Sequence, residues 1–343
     1  MSTSDRFPSR AERLLQEPVA AAPAIFSLVE ERLQAVEATF RRNLASPVGI
    51  IDEIGGFVAD GGGKRVRPAI HLLCAKLCGY GGSHDVLMAT VLELIHSATL
   101  IHDDIIDEAK TRRGRPSVNH RWGNNVTVLF GDYMLAKAME MALDAESLRI
   151  IRKLAEITLR MTEGEMLQTR YVGRLDLTVA EYSDLIERKT AVLFAGCCEI
   201  AGMLAGVDAA TEGALGRFGT RVGLAFQMVD DLLDFTGDPR TLGKPAGSDL
   251  CEGKATLALI YLLASGDGRG LDLARRIMDG GGAGAPEIAE LTDLLEESGA
   301  LSRARAQASR TATEAVAELE HFPDGPARRA LAAVPGYLIS RDR

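Results

Sequence analysis

Three aspartates, Asp103, Asp104 and Asp107, stand at i, i+1 and i+4 in the stretch ELIHSATLIHDDIIDEAKTRRGR that begins at Glu93. On an α-helix, with about 100° between successive residues, Asp103 and Asp107 lie one turn apart on one face with Asp104 beside them. Carboxylates crowded in this way repel one another, so the pattern calls for a cation among them. All-oxygen donors favour Mg²⁺ over zinc, and Mg²⁺ takes one or two carboxylates together with substrate phosphates. Arg112 and Arg113 follow at once, and the planar, permanently charged guanidinium suits phosphate. Carboxylates for a metal and guanidinia for an anion point to a diphosphate.

A lone DDxxD is common on solvated helix faces, but this one is repeated. Gln227 precedes Asp230, Asp231 and Asp234 at the same spacing, again within an apolar helical run. Unpaired carboxylates are strongly disfavoured in apolar surroundings, so two facing acidic helices make a cage for metal ions. Further polar residues gather around the motifs. The glycine-rich stretch 59–68 carries Lys64 and Arg67 and ends in a proline at a helix start, where free backbone N–H groups attract anions. It is not a P-loop, because Val58 and Arg65 stand where that pattern needs Gly and Ser or Thr. His96 lies seven residues before Asp103, on its face about two turns back. A single histidine there is more often a satisfied core residue; its placement towards the same cleft makes a diphosphate contact the equal alternative. Lys189 and Thr190 open an apolar helix, and Lys244 and Lys254 bracket a loop placed to lid the site. As isolated lysines they would be ordinary surface residues.

The elements that must position these groups are helical. Apolar residues recur at helical period over most of the 343 residues, and strand-like alternation is nearly absent. Helices are expected over 25–43, 47–57, 68–78, 85–108, 117 into the 140s, 147–171, 178–189, 190–206 and 211–235. Another begins near 255, and two or three more complete the chain. Loops are expected over 110–116, 236–252, 266–270 and 279–286. This is one all-α domain, a single large helical bundle over 25–343, preceded by a mobile N-terminal arm over 1–24. The stretch 190–207 is apolar enough to suggest a membrane span, but Glu199 in its middle and Lys189 at its start make it a buried helix, so no transmembrane segment is expected. No signal peptide is expected either, because the N-terminus lacks an apolar core. Five cysteines without framework spacing, Cys74 and Cys78 among them, are read as small buried hydrophobes in a reduced, cytoplasmic setting. A net charge of −9 excludes nucleic acid as a partner and leaves an anionic substrate dependent on metal and a local basic patch.

Taken together, GGGKRVRP, HDDIIDEAKTRRGRPS, GDYMLAKA, FQMVDDLLDF and LGKPAGSDLCEGKAT resemble the trans-prenyl diphosphate synthases, in order and from about residue 25 to the C-terminus. The resemblance implies an all-helical bundle around a central cavity, a homodimer, and Mg²⁺-dependent head-to-tail condensation of isopentenyl diphosphate onto an allylic diphosphate. It assigns Lys64, Arg67, His96 and Arg113 to isopentenyl diphosphate, and Arg112, Lys189 and Lys244 to the allylic diphosphate. It makes Asp103, Asp107 and Asp230 the principal Mg²⁺ ligands, supported by Asp104, Asp231 and Asp234. Thr190 and Gln227 would steady the allylic cation. Ala98 and Thr99, five and four positions before Asp103, are small where short-chain members carry an aromatic floor. A growing chain would then run on to Ile95, Leu94 or the 161–167 helix. At about 5.4 Å per turn, roughly one isoprene unit, this implies about six to ten units, with eight expected. Terpene cyclases would not need the glycine-rich basic loop. A non-catalytic partner subunit would have lost aspartates. A metal-storing bundle would carry Glu-x-x-His pairs instead.

Overall fold

The computed structural model describes residues 25–237, 246–280 and 284–340. The N-terminal arm and Lys244 lie outside the described residues. A 3₁₀ turn at Ser27–Val29 leads into α1 (Glu30–Leu44), α2 (Gly49–Asp60), α3 (Val66–Leu77) and α4 (His84–Ile106). A two-stranded ribbon, β1 (Thr111–Arg112) and β2 (Arg115–Pro116), precedes α5 (Val118–Trp122), α6 (Asn124–Leu143) and α7 (Leu148–Tyr171). Then come α8 (Val179–Ile186), a π-helical turn (Glu187–Ala191), α9 (Val192–Ala205) and α10 (Ala209–Thr236). The chain continues through α11 (Ser248–Cys251), α12 (Leu257–Leu263), α13 (Gly268–Asp279), α14 (Ala285–Glu297), α15 (Ala300–Glu318) and α16 (Pro326–Ile339).

The helices form where apolar period and capping agree. On α7 the buried positions Ile150, Leu154, Ile157, Met161 and Gly164 recur every three or four residues, and the Ser147 hydroxyl caps its start by accepting from the Ile150 N–H. Each buried Leu or Ile contributes about 1.5–3 kcal/mol. Thr178 and Glu181 close a capping box ahead of α8, and the Asp208 side chain accepts from the Thr211 N–H ahead of α10. Three apolar clusters result. One joins α3, α9, α10 and α16; a second joins α1, α4, α6, α7 and α9; a third joins α8, α10 and α12–α15.

Several elements depart from the sequence expectation. The loop over 110–116 holds an antiparallel ribbon pairing Arg112 with Arg115, because Arg113 (φ 52°) and Gly114 (φ 74°) both adopt the left-handed conformation that tight hairpins require. The helix expected from 117 is broken at Gly123 (φ 80°), which ends α5 and starts α6. The separate helices over 178–189 and 190–206 form one continuous rod through the π turn. Within 266–270, Asp267 caps a helix instead of belonging to a loop, and α11 interrupts the polar segment 236–252. Among the described residues the helix long and apolar enough to cross a membrane is α4, not 190–207, and 61% of its apolar window is buried inside the fold. All five cysteines are free.

Candidate active site

α4 presents the first acidic motif with its residues sorted by direction. His96, Thr99, Asp103 and Asp107 are half-buried along one stripe, whereas Ala98 and Asp104 point away from it and are buried. Asp104 is held by protein donors: Arg112 Nε donates to its Oδ1 at 2.7 Å, and the Asn119 side chain donates to its backbone carbonyl at 2.9 Å. Lys254 Nζ donates to Asp107 Oδ1 at 3.0 Å and to Glu252 Oε2 at 2.6 Å, so this lysine ties the segment after the second motif to the first. Burial pushes the Asp103 carboxyl up to about 6; the Lys189 charge opposes the shift, while Glu165 and Asp107 add to it. That repulsion is what a bound cation would relieve.

The second motif is also divided. Asp230 is exposed. Asp231 is buried and accepts from the Tyr182 hydroxyl at 2.6 Å and from Gln227 Nε2 at 2.8 Å. Burial, with the Asp249 charge next, pushes it up to about 7. Asp234 accepts from the Ser248 hydroxyl at 2.7 Å and the Asp249 N–H at 3.1 Å. Asp231 and Asp234 therefore lock α10 to its neighbours, and Asp230 faces outward.

The π turn carries Lys189 and Thr190 between α7 and α10. Lys189 Nζ meets Glu165 Oε2 at 2.7 Å and Gln168 Oε1 at 3.0 Å, both on α7. The turn approaches α7 so closely that a Cβ on Gly164 would stand 2.8 Å from the Lys189 nitrogen. The Thr190 hydroxyl donates to Gln227 Oε1 at 2.8 Å, which extends the chain of hydrogen bonds to Asp231 and Tyr182. Glu165, Gln168, Tyr182 and Ser248 were not singled out from the sequence. Their signal is only that of polar residues on amphipathic helices; Glu165 and Gln168 at i, i+3 gave the nearest clue.

The basic side begins at the α2–α3 junction. Lys64 is exposed and Arg67 half-buried. Arg67 Nη1 lies 3.0 Å from His96 Nε2, with its guanidinium 4.5 Å from the Phe194 ring centroid. Burial, and then the Arg67, Arg113, Arg112 and Arg65 charges, hold His96 well below the usual imidazole range. Arginine only donates, so neutral His96 accepts at Nε2 and carries its proton on Nδ1. Arg113 Nη1 donates to the Gly62 carbonyl, joining the ribbon to the glycine-rich loop.

No group of three or more His, Cys, Asp or Glu side chains is arranged around one metal position among the described residues. Mg²⁺ draws most of its ligands from water and phosphate, so carboxylates on α4 and α10 are a donor set it fits. The sequence model of the polyprenyl synthetase family matches residues 49–294. The chain belongs to this family. It is 36% identical to the octaprenyl diphosphate synthase of Escherichia coli (strain K12) over 319 residues, 93% of this chain and 98% of the relative. Among solved structures, a polyprenyl synthase from Caulobacter crescentus CB15, complexed with calcium and isoprenyl diphosphate, superposes with a TM-score of 0.91 at 34% identity, covering 95% of this chain and all of that one. A decaprenyl diphosphate synthase from Rhodobacter capsulatus gives 0.88 at 34%, covering 94% and 99%. As a polyprenyl synthetase, the protein is a prenyltransferase with an all-α fold.

Proposed function

We propose that the protein condenses isopentenyl diphosphate head-to-tail onto an allylic diphosphate, with Mg²⁺, to give a polyprenyl diphosphate of about eight isoprene units, the spacing of one unit per helical turn setting that length. The observation that carries the reading is the meeting of both acidic motifs at the π turn. Lys189 acts on Asp103 of the first, and Thr190 bonds to Gln227, which leads the second.

Arg112 and Lys189, with Lys244, hold the allylic diphosphate; Lys64, Arg67, His96 and Arg113 hold isopentenyl diphosphate. Asp103, Asp107 and Asp230 would hold Mg²⁺, which when bound would stabilise the negative charge that develops on the leaving diphosphate. The basic side chains stabilise the same developing charge as the allylic C–O bond breaks. The Thr190 and Gln227 dipoles face the allylic cation, the double bond of isopentenyl diphosphate attacks it, and the departing diphosphate takes the proton then lost. Lys254 Nζ donates to Asp107 and Glu252, which leaves one of its three N–H donors for a diphosphate. Two copies associate through α6 and α7, whose outward Leu129 (68% exposed) and Met166 (71% exposed) leave apolar surface uncovered. The free cysteines and the net charge of −9 favour a cytoplasmic enzyme that does not act on nucleic acid.

Incubation with Mg²⁺, isopentenyl diphosphate and farnesyl diphosphate, followed by sizing, tests the reading. Products centred on about eight units are expected, and products ending at geranylgeranyl diphosphate would remove the long-chain assignment. The two anion sites separate kinetically. Arg67→Ala raises the KM for isopentenyl diphosphate by about ten- to a hundredfold, the value of a hydrogen bond to a charged group. Arg112→Ala acts mainly on the allylic substrate. Equal effects of both changes on both substrates contradict the assignment.

A further inference from the structure

Between the two basic residues assigned to isopentenyl diphosphate stands a third, Arg65, which points the other way. It occupies the position before α3 with φ 46° and ψ 36°, the left-handed conformation that residues with a Cβ rarely adopt. Residues there are normally extended and offer a side-chain oxygen to the first turn. Arg65 makes no such cap, although its carbonyl accepts from the Ala69 N–H at 3.0 Å. The unusual backbone must be held from elsewhere.

The side chain supplies the hold. Nε and Nη2 donate to the two oxygens of Glu37 at 2.8 and 3.2 Å, and Nη1 donates to Glu93 Oε1 at 2.6 Å. The guanidinium also lies 4.7 Å from the Phe40 ring centroid. Glu37 and Phe40 belong to α1 and Glu93 to α4, so one guanidinium pins the start of α3 to two helices. All three of its nitrogens donate to carboxylates, so three of the five N–H donors of Arg65 are committed to α1 and α4. Glu93 is buried and is followed three positions later by His96, the partner of Arg67. One face of α4 therefore holds Arg65 through Glu93 and Arg67 through His96. With Arg65 turned inward, Lys64 is left exposed beside the site.

We propose that Arg65, with Glu93 and Glu37, is a positioning device that sets the glycine-rich loop so that Lys64 and Arg67 converge on one diphosphate without Arg65 touching it. The inference rests on the assignment of that loop to isopentenyl diphosphate. Arginine is required because lysine keeps the charge but cannot bridge two carboxylates in fixed geometry.

Steady-state kinetics with both substrates test this. Arg65→Ala raises the KM for isopentenyl diphosphate about tenfold, leaving kcat and the allylic KM within about twofold, the signature of lost substrate positioning. Arg65→Lys restores part of the loss. Glu37→Gln, at a half-exposed site that spares the core, gives a rise of about two- to threefold. Glu93→Ala combined with Arg65→Ala is no worse than Arg65→Ala alone, because the two act as one unit. A lowered melting temperature with unchanged KM, equal losses for both substrates and kcat, or additive effects of the pair would make the cluster a fold staple only and overturn the proposal. Arg67→Ala is the control. If it raises the KM for isopentenyl diphosphate while the Arg65 and Glu37 variants do not, the loop assignment stands and the positioning role falls. If Arg67→Ala leaves that KM unchanged, both fall.

Discussion

Asp103→Ala is expected to lower turnover by about 10²–10³ or more, the loss typical of removing one element of preorganised charge stabilisation. The fold should not suffer. Burial, with Glu165 and Asp107 beside it, pushes the Asp103 carboxyl up to about 6, so ionising it costs stability in the folded protein. That cost is present above pH 6 and fades as the pH falls towards 4, below which the group is protonated in both states. The alanine variant should therefore melt no lower than the parent at pH 8, and the two should converge near pH 4. Asp230→Ala, at an exposed position, should lose activity to a similar degree with unchanged circular dichroism. Near-normal turnover in either variant, or activity of the parent in excess chelator, would remove the metal-cage mechanism.

The other large effect concerns product length. Thr99 stands about 40° from the direction of Asp103 and one turn below it, on the stripe shared with His96. Ala98 stands about 140° away and is wholly buried in the cluster that includes Phe130 and Met134. Thr99→Phe should cut the product from about eight units to three or four, since it closes the turn next to the proposed metal-binding face, about one unit deep. The first condensation should proceed at close to the parent rate. Ala98→Phe should instead overpack the core and cost about 1–3 kcal/mol of stability. Product sizing and a melting curve distinguish them. An unchanged product distribution in Thr99→Phe sinks the gate, and a shortened product in Ala98→Phe with unchanged stability returns the gate to that residue.

What the sequence made legible was charge placed where helical periodicity would not tolerate it. Asp103, Asp107 and Asp230 interrupt apolar runs, and Lys64 and Arg67 stand at a glycine-rich helix start, so type and spacing were enough to single them out as candidates. Pairing across the fold was not legible. Lys254 reads as a phosphate contact, and its bond to Asp107, 147 positions earlier, left no sign in the sequence. Asp231 and Asp234 read as supporting the metal through water or neighbouring side chains, and the partners Tyr182 and Ser248, on other elements, were not legible. The direction of Ala98, about 140° from that of Asp103, follows from the helical period alone. The π turn left no mark, because a local change of hydrogen-bond register is set by packing against Gly164 rather than by residue type.

That turn has a consequence for how the chain tolerates change in length. A π-helical turn is an α-helix carrying one residue too many, and that residue lets Lys189 and Thr190 reach α7 and α10 from a rod that otherwise runs straight. Deleting a single residue between 187 and 191 would let the backbone close into regular helix at little local cost. The helices on either side would keep close to their present phase, because the wider turn spreads over five residues about the rotation that regular helix makes in four. What would be lost is the widening that sets the turn against Gly164 and carries Lys189 and Thr190 to Glu165 and Gln227. Side-chain replacements along this rod change one contact at a time; losing one residue here would withdraw two site residues together while the helices on either side stay seated.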